Sequence, residues 1–129
     1  MIRVLTVKDM EFLNYKEECK NLYETVQDKI CDKSSFNFIC QNTLLYVFLI
    51  NSTLIGGIYY FLDDEGKLFL NGFSKRKMYP LTLDCLKMSL KWFKGSIYAE
   101  AQNRASALCL LKCGFKKTKK KTYVFYNFK

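Results

Sequence analysis

Apolar and polar positions change period repeatedly along the chain, and each change marks an expected element. Ile2 to Leu5 (IRVL) reads as a short strand. Thr6 and Asp9 then offer polar start signals for a helix through about Lys29. Its apolar positions are Met10, Leu13, Leu22 and Val26, and its polar face carries Glu11, Lys16, Glu17, Glu18, Lys20 and Glu24. Leu44 to Ile50 (LLYVFLI) is apolar on both faces, and Asn51-Ser52-Thr53 turns it into Leu54–Leu62. A second turn, Asp63-Asp64-Glu65-Gly66, leads to a third run, Lys67–Phe73. These connections are too short for a crossover helix, so the three runs are expected to pair as an antiparallel meander.

After Phe73 the period lengthens. Ser74-Lys75-Arg76-Lys77-Met78-Tyr79 is a basic loop, Pro80 suits the opening of a helix, and Leu81, Leu83, Leu86, Leu90 and Phe93 supply an apolar stripe. Gly95 ends that helix and Ser96–Glu100 (SIYAE) is a strand. Asn103 caps a further helix to about Lys112, and Gly114 stands where a left-handed C-terminal cap needs it. Phe115 and a lysine run lead into a last strand, Thr122–Phe128. Phe48, Ile58, Leu70, Leu86, Leu90, Ile97 and Phe115 are expected to meet in one core.

Composition narrows the class. A chain of 129 residues suits one domain, 1–129, and half its residues are hydrophobic, which excludes intrinsic disorder. The longest apolar run, Leu44–Ile50, is far shorter than the ~20 residues that span a membrane, and no basic-then-apolar leader is visible. A soluble, cytoplasmic protein is expected. The six cysteines (Cys19, Cys31, Cys40, Cys85, Cys109 and Cys113) read as reduced thiols in a chain with a full-sized core.

There is no histidine, which excludes Ser-His and Cys-His nucleophiles and leaves no usual zinc site, so no metal is expected. Catalysis would fall to carboxylates, tyrosines, lysines or the backbone. The net charge of +9 is uneven: residues 1–64 hold six Lys/Arg against nine Asp/Glu, whereas 65–129 hold fifteen against three. The C-terminal half faces an anion, whether nucleic acid, a charged surface or cofactor phosphates, or it reflects a lysine-rich composition alone.

The segment Ser96–Phe115 runs from a strand through Ala101-Gln102-Asn103-Arg104-Ala105-Ser106-Ala107 to Leu111-Lys112-Cys113-Gly114-Phe115. It resembles the C-terminal motif of the GCN5-related N-acetyltransferase (GNAT) superfamily, in which a strand enters Asn-x-x-Ala, a short helix and Gly-Phe. The element order along nearly the whole chain is similar too, with specific motifs over about residues 67–115. Within that stretch the chain also looks like small acetyltransferase-like proteins of bacteriophages. The resemblance implies an α+β fold of the acyl-CoA N-acyltransferase type, with a mixed, mostly antiparallel central sheet flanked by helices. It also implies acetyl-CoA as cofactor and an amine of a small molecule or protein as acceptor.

In the family, a loop of the form Gln/Arg-x-x-Gly-x-Gly/Ala cradles the cofactor pyrophosphate with free amides and a helix N-terminus. The matching stretch here is Arg76-Lys77-Met78-Tyr79-Pro80-Leu81, with Tyr79 and Leu81 where small residues are expected and Pro80 removing an amide donor. The resemblance therefore places cofactor contacts at Phe73, Ser74, Lys75, Arg76, Lys77, Met78 and Tyr79. Asn103 would support the cofactor arm near splayed strands, or act as a plain helix cap. The tyrosine that commonly protonates the leaving thiolate, four residues before the motif glycine, is replaced by Leu110.

A general base must take a proton from the acceptor ammonium, and Glu100, at the end of the strand flanking the cleft, is the first candidate. Asp63, Asp64 and Glu65 lie in a predicted turn and Asp84 on a helix surface, while Tyr98 and Tyr126 are candidates to line a cleft. Lys116, Lys117, Lys119, Lys120 and Lys121 read as a solvated hairpin tip or as a contact for nucleic acid or adenosine phosphate. Two other functions stay open: a non-catalytic module of the same fold that assembles with protein partners, in a phage particle for instance, and a basic nucleic-acid-binding domain.

Overall fold

A computed structural model describes residues 1–27, 32–75 and 78–128, with Tyr79 described by its backbone alone. Seven strands form one sheet: β1 (Ile2–Thr6), β2 (Leu44–Ile50), β3 (Thr53–Leu62), β4 (Leu68–Ser74), β5 (Gly95–Glu100), β6 (Lys116–Lys117) and β7 (Thr122–Asn127). Their order is β1-β2-β3-β4-β5-β7-β6, antiparallel throughout except for the parallel pair β4–β5. Four α-helices accompany them: α1 (Lys16–Val26), α2 (Phe36–Asn42), α3 (Tyr79–Leu90) and α4 (Arg104–Lys112). This is the mixed, mostly antiparallel α+β architecture expected, meander included.

Period-two alternation divides the apolar strand residues between two cores. Tyr46, Phe48, Ile58, Tyr60, Leu70, Ile97 and Ala99 face α3 and α4 and meet Leu86, Leu90, Leu110 and Phe115. Leu45, Val47, Leu49, Tyr59 and Phe73 face α1 and α2 and meet Cys19, Tyr23, Phe36 and Ile39. All seven residues expected to share a core lie in the first of these clusters. Polar bonds fix the helices on the sheet. Tyr60 OH donates to Ser89 Oγ (2.7 Å), which donates on to Leu86 O (3.0 Å), and Tyr59 OH donates to Asp32 Oδ2 (2.8 Å), between α1 and α2 in the chain.

Two expectations are corrected. The helix expected from Asp9 to about Lys29 is a 3-10 turn, Met10–Asn14, followed by a fresh start at Lys16. Asp9 does not cap forward; its carboxylate accepts the Thr6 amide behind it (2.7 Å), and Met10 and Leu13 point to solvent while Phe12 is buried. The end expected near Lys29 lies outside the described residues. α2 was not anticipated: seven residues show too little period, although Ser35 caps it through the Phe38 amide (3.1 Å). At the other end of the chain, Asn103 Oδ1 accepts the Ser106 amide at the start of α4 (2.9 Å) and Gly114 closes the helix at φ 99°.

Candidate active site: the cavity where β4 and β5 part

Parallel pairing between β4 and β5 lasts three residues: Leu68 with Ile97, Phe69 with Tyr98, and Leu70 with Ala99. Beyond Leu70, β4 continues beside β3 to Ser74. β5 instead ends at Glu100, and its chain swings toward the β6–β7 hairpin, where the Ala101 amide donates to Lys121 O (2.9 Å). The edge of β4 from Asn71 to Ser74 is thus left without a strand partner on the β5 side. β3 keeps β4 close on the other side because it carries glycine there: a Cβ on Gly56 would lie 2.2 Å from Phe73 O.

A cavity of about 680 Å³ opens at this divergence, within the usual range for small-molecule sites. Its wall is mainly apolar. Leu70, Gly72 and Ala99 contribute from the α3/α4 face of the sheet, while Gly57, Asn71, Phe73 and Glu100 contribute from the opposite face. A cavity lined from both faces requires a gap in the sheet, and the parted strands supply it. Thr82, Cys85 and Leu86 close one side from α3; Asn103, Ser106, Cys109 and Leu110 close another from α4.

Among the described lining residues Glu100 is the only carboxylate. It is exposed, and its neighbour across the β5–β7 ladder is Thr122. Asn103 lines the cavity too; its Oδ1 is committed to the helix cap, which leaves its Nδ2 available as a donor. Phe73 and Ser74 also lie in the wall. Lys75 follows them, and its Nζ pairs with Glu18 Oε2 at 2.7 Å, tying the loop to α1. Arg76 and Lys77 lie outside the described residues. Met78 packs against the core beside α3, and Tyr79 opens that helix, whose N-terminal amides have no side-chain cap.

The other candidates lie away from the cavity lining. Asp63 Oδ1 accepts the Glu65 and Lys67 amides (2.9 and 2.8 Å) and so shapes the β3–β4 turn; Asp64 and Glu65 are exposed there, Glu65 near Lys67 (3.6 Å), and Asp84 is exposed on α3. Tyr98 stacks on Phe69, with Lys67 Nζ 5.4 Å from its ring centroid, and Tyr126 stacks on Phe128 at the surface. Neither tyrosine lines the cavity. Lys116 to Lys121 are exposed along the hairpin.

Sequence reasoning missed Asn71, Thr82 and Cys109. Asn71 was detectable as a lone amide within the apolar run LFLNGF, since a polar residue at a buried strand position needs a partner or a polar opening. Thr82 and Cys109 carry no comparable signal.

No protein-family model matches the chain, and no curated protein matches it. Solved structures do. An N-acetyltransferase from Staphylococcus aureus Mu50 superposes with a TM-score of 0.71 at 16% identity, covering 98% of this chain and 97% of that one. An acetyltransferase of the GNAT family from the same strain gives 0.59 at 14% identity, covering 100% of each chain. The aminoglycoside acetyltransferase AAC(6')-Ib in complex with coenzyme A gives 0.68 at 13% identity, covering 98% and 94%. The chain folded in this way has the GNAT fold, an α+β acyl-CoA N-acyltransferase-like architecture.

Proposed function

We propose that the protein is an acetyl-CoA-dependent N-acetyltransferase acting on an amine of a small molecule or protein. The observation that carries this reading is the cavity at the β4–β5 divergence, lined from both faces of the sheet and holding Glu100 as its only described carboxylate. The residues present fit the cofactor on two counts. An amide-bearing pantetheine arm is able to pair with the free edge of β4 near Phe73 and Ser74, as an added strand would. The uncapped start of α3 suits the pyrophosphate. Arg76, with Lys75, Lys77, Met78 and Tyr79, would complete the phosphate contact, and the Asn103 amide would hold the arm from α4.

Acetyl-CoA supplies the acetyl group as a thioester. Glu100 accepts the proton that the acceptor ammonium must lose before its nitrogen becomes a nucleophile, directly or through one water. Leu110 offers no proton to the departing thiolate, so water does, a modest demand for a thiol whose pKa lies near 8.5. Thiol release from acetyl-CoA in a panel of primary amines, polyamines and lysine peptides tests the reading; no release with any acceptor, at any pH from about 7 to 9, would contradict it.

Two observations favour other readings. Leu110 in place of a hydroxyl suits a non-catalytic module with protein partners, in a phage particle or elsewhere, and turnover in that panel would exclude it. The exposed hairpin lysines suit nucleic-acid binding, which requires retention on DNA or RNA that weakens steeply with salt.

A further inference from the structure

The cavity-facing stripe of α4 runs through Ala105, Ser106 and Cys109, and one turn further the same side of the helix carries Cys113 at its C-cap. Cys109 is half-buried in the wall of the cavity and packs against the core cluster that holds Leu70, Ala99, Leu110 and Cys113. Neither thiol is in a disulfide. Four residues apart on a helix, their Cα atoms are separated by about 6 Å, inside the range of about 4.4–6.8 Å that a disulfide spans, but their Cβ atoms, about 5–6 Å apart, must close to about 3.5–4.5 Å, so bond formation requires the last turn of α4 to shift. Cys113 is the C-cap residue, and its amide is shared among carbonyls of the last turn, Cys109 O at 3.2 Å and Leu110 O at 3.1 Å. The backbone there is a helix end, which is easier to adjust than a helix interior.

We propose that Cys109 and Cys113 form a thiol–disulfide exchange pair in the cavity wall, oxidised by a disulfide of coenzyme A. The proposal rests on the cofactor reading above, because that reading is what brings this class of thiol to the cavity. Cys109 is the attacking group, since it faces the cavity, whereas Cys113 is 8% exposed. A hydrogen bond with Cys109, and then burial, hold the Cys113 thiol well above the ordinary range, so Cys113 keeps its proton while Cys109 reacts. Lys87 acts on Cys113 in the opposite sense, favouring its charged form.

The atoms balance without any other oxidant. Cys109 Sγ, as thiolate, attacks one sulfur of coenzyme A disulfide; the sulfur–sulfur bond breaks and one coenzyme A leaves as thiolate. Cys113 Sγ then attacks Cys109 Sγ and expels the second coenzyme A. Two cysteine thiols are oxidised to one disulfide, one disulfide is reduced to two coenzyme A thiols, and those thiols carry away both cysteine protons. The intermediate, coenzyme A joined to Cys109, fills the cavity and excludes acetyl-CoA. Acceptor turnover is thereby tied to the redox state of the coenzyme A pool.

The test exposes the reduced 129-residue chain to coenzyme A disulfide and follows intact mass and peptide maps. The wild type is expected to lose the Cys109 and Cys113 thiols together and release two coenzyme A per chain, while Cys113→Ala stops at a coenzyme A adduct on Cys109. Acetyl-CoA at ten times its dissociation constant should slow the reaction about tenfold, and labelling of Cys40, which packs in the other core, should not change. Cys85 lines the cavity as well but should stay unmodified, because it is 2% exposed where Cys109 is half-buried. Wild-type protein that keeps both thiols, or takes the adduct on Cys40 or Cys85 instead, overturns the pair whether or not the variant folds. A melting shift with acetyl-CoA measured beside this separates the two failures. A shift without oxidation sinks the exchange pair alone; no shift, with glutathione disulfide reacting as fast as coenzyme A disulfide, sinks the cofactor reading and this inference with it.

Discussion

Leu70 and Ala99 are the last pair of the parallel β4–β5 ladder. One residue further, Asn71 and Glu100 both turn to the opposite face of the sheet from that pair, and both line the cavity without pairing across it. The carboxylate therefore sits at a break in the sheet, reachable from the face opposite α3 and α4.

If Glu100 accepts the acceptor's proton, Glu100→Gln keeps the shape of the wall and removes the base. Turnover is expected to fall about 10²–10⁴-fold, with acetyl-CoA affinity unchanged, in parallel steady-state kinetics and calorimetry. A near-wild-type kcat would assign the proton transfer to another group.

Leu86 is 5% exposed and joins α3 to the sheet below the cavity. Leu86→Ala should cost about 2–5 kcal/mol in urea unfolding. An effect below about 0.5 kcal/mol would show that this helix face is not packed as described.

The β2–β3 connection works in the other direction. Asn51 and Ser52 have φ of 49° and 68°, the signature of a two-residue turn in which both residues are left-handed. Ser52 is exposed, and its carbonyl accepts from Tyr15 OH (3.2 Å), a bond that needs no side chain at this position. Ser52→Gly should relieve the left-handed strain, and after the entropy of the unfolded glycine is subtracted a gain of about 0.5 kcal/mol is expected. A lower melting temperature in this variant would contradict the turn geometry.

How much of this was legible beforehand follows from the range over which each signal acts. The meander, α3 and α4 were readable because long periods and strong punctuation coincide at Asn51, Pro80, Asn103 and Gly114. The break between the 3-10 turn and α1 was not, because Met10 and Leu13 carry apolar residues at helical spacing yet end in solvent, and the choice is made by the Asp9–Thr6 bond. Glu100 and Asn103 were legible as a strand end and a cap. Asn71 and Cys109 acquire meaning only when the parted strands open a cavity beside them, a relation between elements that no local pattern encodes.

Stability should be lost in alkali. Burial pushes the thiols of Cys19 and Cys85 and the phenol of Tyr23 each up to about 12, above their ordinary ranges. All three hold their protons in the folded chain after the unfolded chain has released them. Their contribution is complete below pH 9 and declines from there toward 12, with a full slope of about 1.4 kcal/mol per pH unit for each group. Urea unfolding across that window should show the decline, shallower in Cys19→Ala; a flat profile would mean these groups are not buried.

The central claim is that the cavity between β4 and β5 binds acetyl-CoA, and thermal unfolding with and without that ligand tests it most directly. At a hundred times its dissociation constant acetyl-CoA should add about 2.7 kcal/mol to stability and raise the melting temperature. Unchanged melting at millimolar acetyl-CoA, with calorimetry showing no heat of binding, would contradict the account.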